Sequence, residues 1–143
     1  MAVFARTYPV RFGDIDHAGV MYYPRFFDRM HQAFEDFWPE CAGAEYAELL
    51  DGQNIGFPTV DVHCAFRRPF RFGERMRVEI DVLRIGTRSV TFRFRLFGEG
   101  EEDWRAQAEL VTGVIDLEKF VGKALPQGLR TALEPYLVAD GAG

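Results

Sequence analysis

Cysteine is almost missing from this chain: Cys41 and Cys64 are the only two among 143 residues. They stand in dissimilar contexts without metal-ligand spacing, so neither a disulfide framework nor a metal site is indicated. Both read as reduced core thiols of a cytoplasmic protein. Long apolar runs are missing too. The longest are a few residues, far short of the ~20 that a membrane span requires. The opening MAVFARTYPV lacks the long apolar core of a secretion signal. A basic excess is missing: the formal net charge is −5, which argues against general nucleic-acid binding. No G-x-S-x-G stretch occurs, so an α/β-hydrolase elbow is excluded, and nothing in the sequence calls for a cofactor. Hydrophobic residues, by contrast, make up 48% of the chain. That suffices for a packed core, and the length suits one domain spanning 1–143, with an uninformative tail beyond about residue 120.

The hydrophobic pattern changes period along the chain. Residues 4 to 10 read as a short strand ending near Pro9. Gly13 and Gly19 bracket a loop. From there Tyr23, Phe26, Phe27, Met30, Phe34, Phe37 and Trp38 recur at three- and four-residue steps, with Arg25, Asp28, Arg29, Gln32, Glu35 and Asp36 between them. This spacing predicts an amphipathic helix from about Pro24 to Trp38, begun by Pro24 at its first position and stopped by Pro39. The aromatic stripe is read as core. Residues 45 to 50 suit one or two more helical turns, and DGQNIGFP a loop.

After that loop the period becomes two. Val60, Val62, Cys64 and Phe66 alternate with Asp61, His63, Ala65 and Arg67; Met76 to Val82 and Val90 to Leu96 alternate likewise; a further strand runs from Trp104 to about Asp116. These are half-buried antiparallel strands joined by turns at IGTR and GEGEED. The segment from Pro126 to Leu137 suits a terminal helix. The order is a strand, a long helix and four strands in a meander. That is an α+β domain with one long helix on a five-stranded antiparallel sheet. One helix cannot cover both sheet faces, which predicts a homo-oligomer.

Charge is unevenly spread. Between Arg67 and Arg95 stand nine arginines, at 67, 68, 71, 75, 77, 84, 88, 93 and 95, against only Glu74, Glu79 and Asp81. Such a patch on an acidic chain suits a small anionic ligand better than a polyanion. For most of the nine, strand positions paired with carboxylates are the simpler reading.

The stretch RFGDIDHAGVMYYPRFF, from Arg11 to Phe27, places Asp14, Asp16 and His17 just ahead of the long helix. A helix N-terminus offers unpaired N–H groups and a partial positive charge. A carbonyl under attack develops negative charge that such donors stabilise, and losing one donor costs about 10²–10³ in rate. A carboxylate beside them can attack the carbonyl or activate water.

Gly13, Asp14, Asp16, Gly19, Tyr22, Tyr23, Pro24 and Phe27 make this stretch similar to the opening motif of the 4-hydroxybenzoyl-CoA thioesterase family, which has the hot-dog fold. The resemblance in element order covers about residues 4 to 116. It implies an acyl-CoA thioesterase with Asp16 as catalytic carboxylate and the Tyr23 backbone N–H as carbonyl donor. It also implies an active site at a dimer interface, and many members are tetramers of two dimers. His17 departs from the family, where some members have proline. Arg88 and Ser89 fall where the family places nucleotide-phosphate contacts, with fewer basic neighbours here than some relatives have.

The remaining candidates are weighed individually. Asp14 and Asp16 lie two apart, so in an extended loop they point opposite ways; Asp14 is assigned to loop backbone N–H groups. His17 suits either the pantetheine arm or a solvated loop position. Gly19 permits a turn close to the ligand. Tyr22 suits the site wall or plain packing. Asp61 and His63 are candidates for the acyl pocket from a neighbouring subunit, and His31 is structural. Three other activities compete: hydrolysis on acyl-carrier protein, a hot-dog dehydratase or hydratase, and acyl-CoA binding without turnover. The acyl group is left open, with an aromatic one such as hydroxybenzoyl among the candidates.

Overall fold

The computed structural model describes residues 1–139. Strand β1 spans Phe4–Pro9 and helix α1 Tyr23–Ala42, followed by a π-helical turn at Glu48–Gly52. Strands β2 (Ile55–Gly56), β3 (Thr59–Phe66), β4 (Arg75–Ile85), β5 (Ser89–Gly98), β6 (Ala106–Gly113), β7 (Ile115–Asp116) and β8 (Val121–Gly122) precede helix α2 at Gln127–Leu133 and a 3₁₀ turn at Glu134–Tyr136. The terminal helix thus covers the first part of the expected Pro126–Leu137 segment, and the 3₁₀ turn most of the rest. Among the described residues no helix is long and apolar enough to cross a membrane.

The period-two segments form one five-stranded antiparallel sheet in the order β1-β4-β5-β6-β3. Its register aligns a row of side chains toward α1: Phe4 faces Ile80, Ile80 faces Phe94, Phe94 faces Ala108, and Ala108 faces Cys64. Against these strands α1 lays Phe26, Met30, Ala33, Phe34, Phe37 and Trp38, all buried. Their rings meet edge-on, as in Phe34–Phe92 at 5.2 Å and Phe4–Phe37 at 5.7 Å. Edge-on pairs add to the area they bury. Tyr23, part of the same stripe in sequence, is 67% exposed, because it sits at the first helical residue beyond the edge of the core.

The strand order corrects the expected meander. β3 does not lie beside β4 but pairs with β6 at the opposite edge. Both flanks of β4 are taken, by β1 and β5, so β3 takes the open flank of β6 and the segment 67–74 crosses the sheet end between them. The expected half-buried pattern of β3 fails for the same reason: Val60, Val62 and Phe66 are exposed on this edge strand. The expected strand to Asp116 breaks at Val114, after which β7 joins β2 and β8 in a second, three-stranded sheet. Ile55 and Gly56 of the supposed loop are therefore strand residues.

Pro39 does not stop α1. A proline here removes one backbone donor, a cost of about 3 kcal/mol in a helix interior, yet the last turn is held by packing. The Cys41 thiol donates to the Ala132 carbonyl of α2 at 3.3 Å. The helix ends at Gly43, whose left-handed φ of 69° and 3.0 Å bond to the Pro39 carbonyl form the cap. At the other end Tyr23 takes the first helical position and Pro24 the second.

Most of the arginine excess is neutralised on the sheet face away from α1. Asp81, expected to face solvent, is 1% exposed because Arg93 clamps both its oxygens at 2.9 and 2.6 Å. Arg77 and Arg95 pair with Glu79, Arg75 with Glu99 and Arg68 with Glu101. Arg67 lies over the Trp104 ring at 3.5 Å. Among the described residues, Arg71, Arg84 and Arg88 have no carboxylate within 4.0 Å.

Candidate active site

Residues 11 to 22 form a narrow hairpin that returns the chain to the start of α1. A 3₁₀ turn at Phe12–Asp14 leads in. Ile15 then pairs with Met21, the Asp16 N–H donates to the Val20 carbonyl at 2.8 Å, and the Tyr22 N–H to the Asp14 carbonyl at 3.2 Å. Gly19 closes the tip with a φ of 81°, a conformation that costs glycine little.

The two aspartates separate as the alternation of side chains requires. Asp14 points inward and is 3% exposed. It accepts the Arg11 N–H at 2.9 Å and the Arg29 Nη2 at 2.5 Å. The sequence assigned the backbone bond; the partner on α1 has no local signal and was missed. Asp16 is exposed. Its Oδ1 accepts the Ala18 N–H at 2.8 Å, while Oδ2 has no partner among the described residues.

Tyr23 opens α1, and its N–H has no acceptor among the described residues, whereas the Arg25 N–H two residues on donates to the Tyr22 carbonyl at 3.0 Å. A groove beside it is walled by Met21, Phe26, Phe66, Arg67, Arg68 and Pro69. One turn along the same helix, Phe27, Met30, His31 and Phe34 form one side of a cavity of about 260 Å³, completed by Tyr46, Phe57, Thr59, Val62, Phe94, Leu110 and Thr112. Burial, followed by the nearby Glu35 charge, pushes the Tyr46 hydroxyl above its ordinary pKa, so it stays a neutral donor. The Thr112 hydroxyl is spent on the Val90 carbonyl at 2.9 Å. His31, read as structural, stands at this wall, stacked on Phe34 at 6.2 Å and edge-on to Tyr46.

His17, Gly19, Tyr22 and Tyr23 lie with Asp16 on the hairpin and helix start. Asp61, His63, Arg88 and Ser89 do not join them within the subunit. Asp61 and His63 are exposed on β3, opposite Val111 and Glu109; Thr59 and Val62 of that strand line the cavity instead. Arg88 is exposed and Ser89 half-buried at the β4–β5 turn. The hairpin meets the segment just before Arg75, at the opposite end of the 11-residue β4, about 35 Å away at ~3.3 Å per residue.

Residues 10–133 match the family model described as the thioesterase-like superfamily. The chain belongs to this superfamily. It is accordingly an enzyme of the thioester-hydrolase class, and the motif that resembled 4-hydroxybenzoyl-CoA thioesterases lies inside the matched span. The chain is 32% identical to a 1,4-dihydroxy-2-naphthoyl-CoA hydrolase of Prochlorococcus marinus (strain MIT 9303), covering 94% of this chain and 89% of that protein. It is 25% identical to a solved gentisyl-coenzyme A thioesterase, with a TM-score of 0.81 over 91% of this chain and 99% of that one. A thioesterase-superfamily structure from Jannaschia sp. CCS1 superposes with a TM-score of 0.89 over 96% of this chain and 95% of that one; at 23% identity it attests the hot-dog fold alone.

Proposed function

We propose that the protein hydrolyses an acyl-CoA thioester, with an aromatic acyl group, to the free acid and CoA. The observation that carries this reading is the unpaired Tyr23 N–H at the start of α1, between the hairpin that presents Asp16 and a cavity built on the next turns of the same helix. The carbonyl oxygen would accept from Tyr23 N–H, aided by the helix dipole. Asp16 then acts in one of two ways. As general base it takes a proton from water while the oxygen adds to the carbonyl carbon. As nucleophile it forms a mixed anhydride that water opens. Either route breaks the C–S bond and releases the CoA thiolate. The turn bond to Ala18 N–H holds one carboxylate oxygen and leaves the other for this work.

The acyl group would lie along α1 in the cavity. A cavity of about 150 Å³ suffices for benzene, so 260 Å³ accommodates more than one ring. Its walls are aromatic, and the Tyr46 hydroxyl and the His31 ring are polar groups able to meet a ring hydroxyl. The substrates named for the hydrolase and the gentisyl-CoA thioesterase relatives are of this kind. Two further features support an oligomer. β3 leaves an unpaired edge with Val60 and Val62 exposed, which a second copy would cover. Arg88 and Ser89, about 35 Å from the hairpin of the same subunit along the length of β4, could grip the nucleotide phosphates only of a substrate held by a neighbouring subunit. His17, Gly19 and Tyr22 would line the pantetheine arm, and Asp61 and His63 would face the partner.

The test is thiol release over benzoyl-, hydroxybenzoyl-, dihydroxynaphthoyl- and straight-chain acyl-CoAs, with the same groups on acyl-carrier protein. Hydroxyaryl-CoA should be preferred, and Asp16→Asn should lower turnover at least about 10²-fold while retaining binding. Near-normal turnover by Asp16→Asn alongside an inactive, folded Asp14→Asn would move the chemistry to Asp14 and refute the role given to Asp16.

A further inference from the structure

Arg105, in the turn between β5 and β6, is among the least exposed charged groups of the described residues at 7%. Its guanidinium is fully engaged. Nε and Nη2 donate to Glu101 at 2.9 and 2.6 Å, and Nη1 and Nη2 to Glu74 at 3.1 and 2.8 Å. Nη1 also donates to the Pro69 carbonyl at 3.0 Å, and the group lies 4.6 Å from the Phe70 ring centroid. Its own carbonyl accepts the N–H groups of Arg67 and Arg68 at 2.7 and 3.2 Å. Gly98 makes room for the cluster, since a Cβ there would collide with Arg105 Nη2 and the Glu101 carboxylate.

Every one of these contacts falls on the segment 67–74 or on the turn beneath it, and that segment is what holds the Asp16 hairpin at both ends. On the entering side, the Val10 N–H donates to the Glu74 carbonyl at 2.9 Å and the Gly73 N–H to the Val10 carbonyl at 3.3 Å. On the leaving side, the Met21 N–H donates to the Phe70 carbonyl at 2.8 Å, and Val20 pairs with Arg71. Glu74 links the two levels: while Arg105 holds its carboxylate, Oε1 also accepts the Arg71 N–H at 2.7 Å. A continuous path therefore runs from Arg105 through Glu74 and Arg71 to Val20, and from Arg105 through Pro69–Phe70 to Met21, two residues before the Tyr23 N–H.

We propose that Arg105, with Glu74 and Glu101, is a positioning residue that fixes the Asp16 hairpin against the start of α1. The proposal rests on the reading of Asp16 and Tyr23 given above. A planar guanidinium can hold two carboxylates and a carbonyl at once; a lysine ammonium is a point charge that cannot reproduce this fork. Misplacing a reacting group by about 1 Å can cost about 10²-fold in rate, so a loosened hairpin would lower kcat without removing any substrate contact.

The experiment compares Arg105→Met and Arg105→Lys with Leu133→Ala, a fully buried residue of α2 near the far end of the sheet that serves as a destabilised control. All are assayed for thioester hydrolysis below their melting range, and amide hydrogen exchange is followed at Val10 and Met21. Arg105→Met should lower kcat at least about tenfold with KM within about twofold, and should speed exchange at both amides. Arg105→Lys should recover part of kcat. Leu133→Ala should lose stability while keeping kcat. Unchanged kcat and unchanged exchange in Arg105→Met would overturn the proposal, as would an equal kcat loss in Leu133→Ala. Faster exchange in Arg105→Met confined to these amides upholds the positioning role even where the wild type hydrolyses no thioester tested, an outcome that would overturn the functional reading alone.

Discussion

Replacing Asp14 by Asn tests whether the hairpin is held by a buried ion pair. Asp14 and Arg29 retain side-chain exposures of 5% and 15%, with 2.5 Å between Oδ2 and Nη2. Removing one partner of a buried pair costs about 3–5 kcal/mol, because the remaining charge is left without compensation. Asn keeps an oxygen for the Arg11 N–H, and Arg29 has some access to water, which brings the expected loss to about 2–3 kcal/mol. For a chain of this length about 3 °C of Tm accompanies each kcal/mol, so Tm should fall by about 6–9 °C. Urea and thermal melts followed by circular dichroism, at one fixed protein concentration, measure this. Arg29→Met should cost a similar amount, and the double variant should recover about 2 kcal/mol of coupling. Turnover of the folded Asp14→Asn protein should fall far less than that of Asp16→Asn. A loss below about 0.5 kcal/mol with no coupling would mark the pair as a solvent-screened surface contact, and the anchoring role of Asp14 would fail.

Acid should weaken the cluster under the hairpin. Hydrogen bonding to Arg105, foremost, holds the Glu101 carboxyl down to about 2, from an ordinary 4.5, and the same contact lowers Glu74. A depressed folded-state value means the stabilisation is complete above the unfolded value and is lost as pH falls from about 4.5 toward 2. The stability gap between wild type and Glu101→Gln should therefore narrow over that range in urea melts; a gap independent of pH would refute the assignment. At the exposed β3 edge, the proposed oligomer predicts that Val60→Lys, which lies outside the cavity lining, shifts the protein toward monomer in light scattering and lowers turnover with it; an unchanged mass would refute a subunit contact at this edge.

Much of this protein is legible in local pattern. The change from a three-to-four-residue period to a two-residue period separates α1 from the sheet because a helix and a strand each present one apolar face at their own repeat. The opposite orientations of Asp14 and Asp16, one buried and one exposed, follow from their spacing of two, and the Asp16 hairpin is recognisable because its glycines, aspartates and Pro24 all act within a few residues of one another. Other features depend on partners distant in sequence. Pro39 reads as a helix stop, yet the turn beyond it persists because Cys41 meets Ala132, 91 positions later. β3 has the alternation of a half-buried strand, but its burial depends on which flank of the sheet remains open, and β1 had already closed one side of β4. Asp81 alternates as a surface residue and becomes buried because the register sets Arg93 opposite it. The cavity along α1, the Arg29 anchor of Asp14 and the Arg105 cluster likewise arise only where separate elements meet. Periodicity records which face of a segment is apolar; strand order and side-chain pairing are settled by competition among segments for the same edges and charges, and that competition exists only in the folded chain.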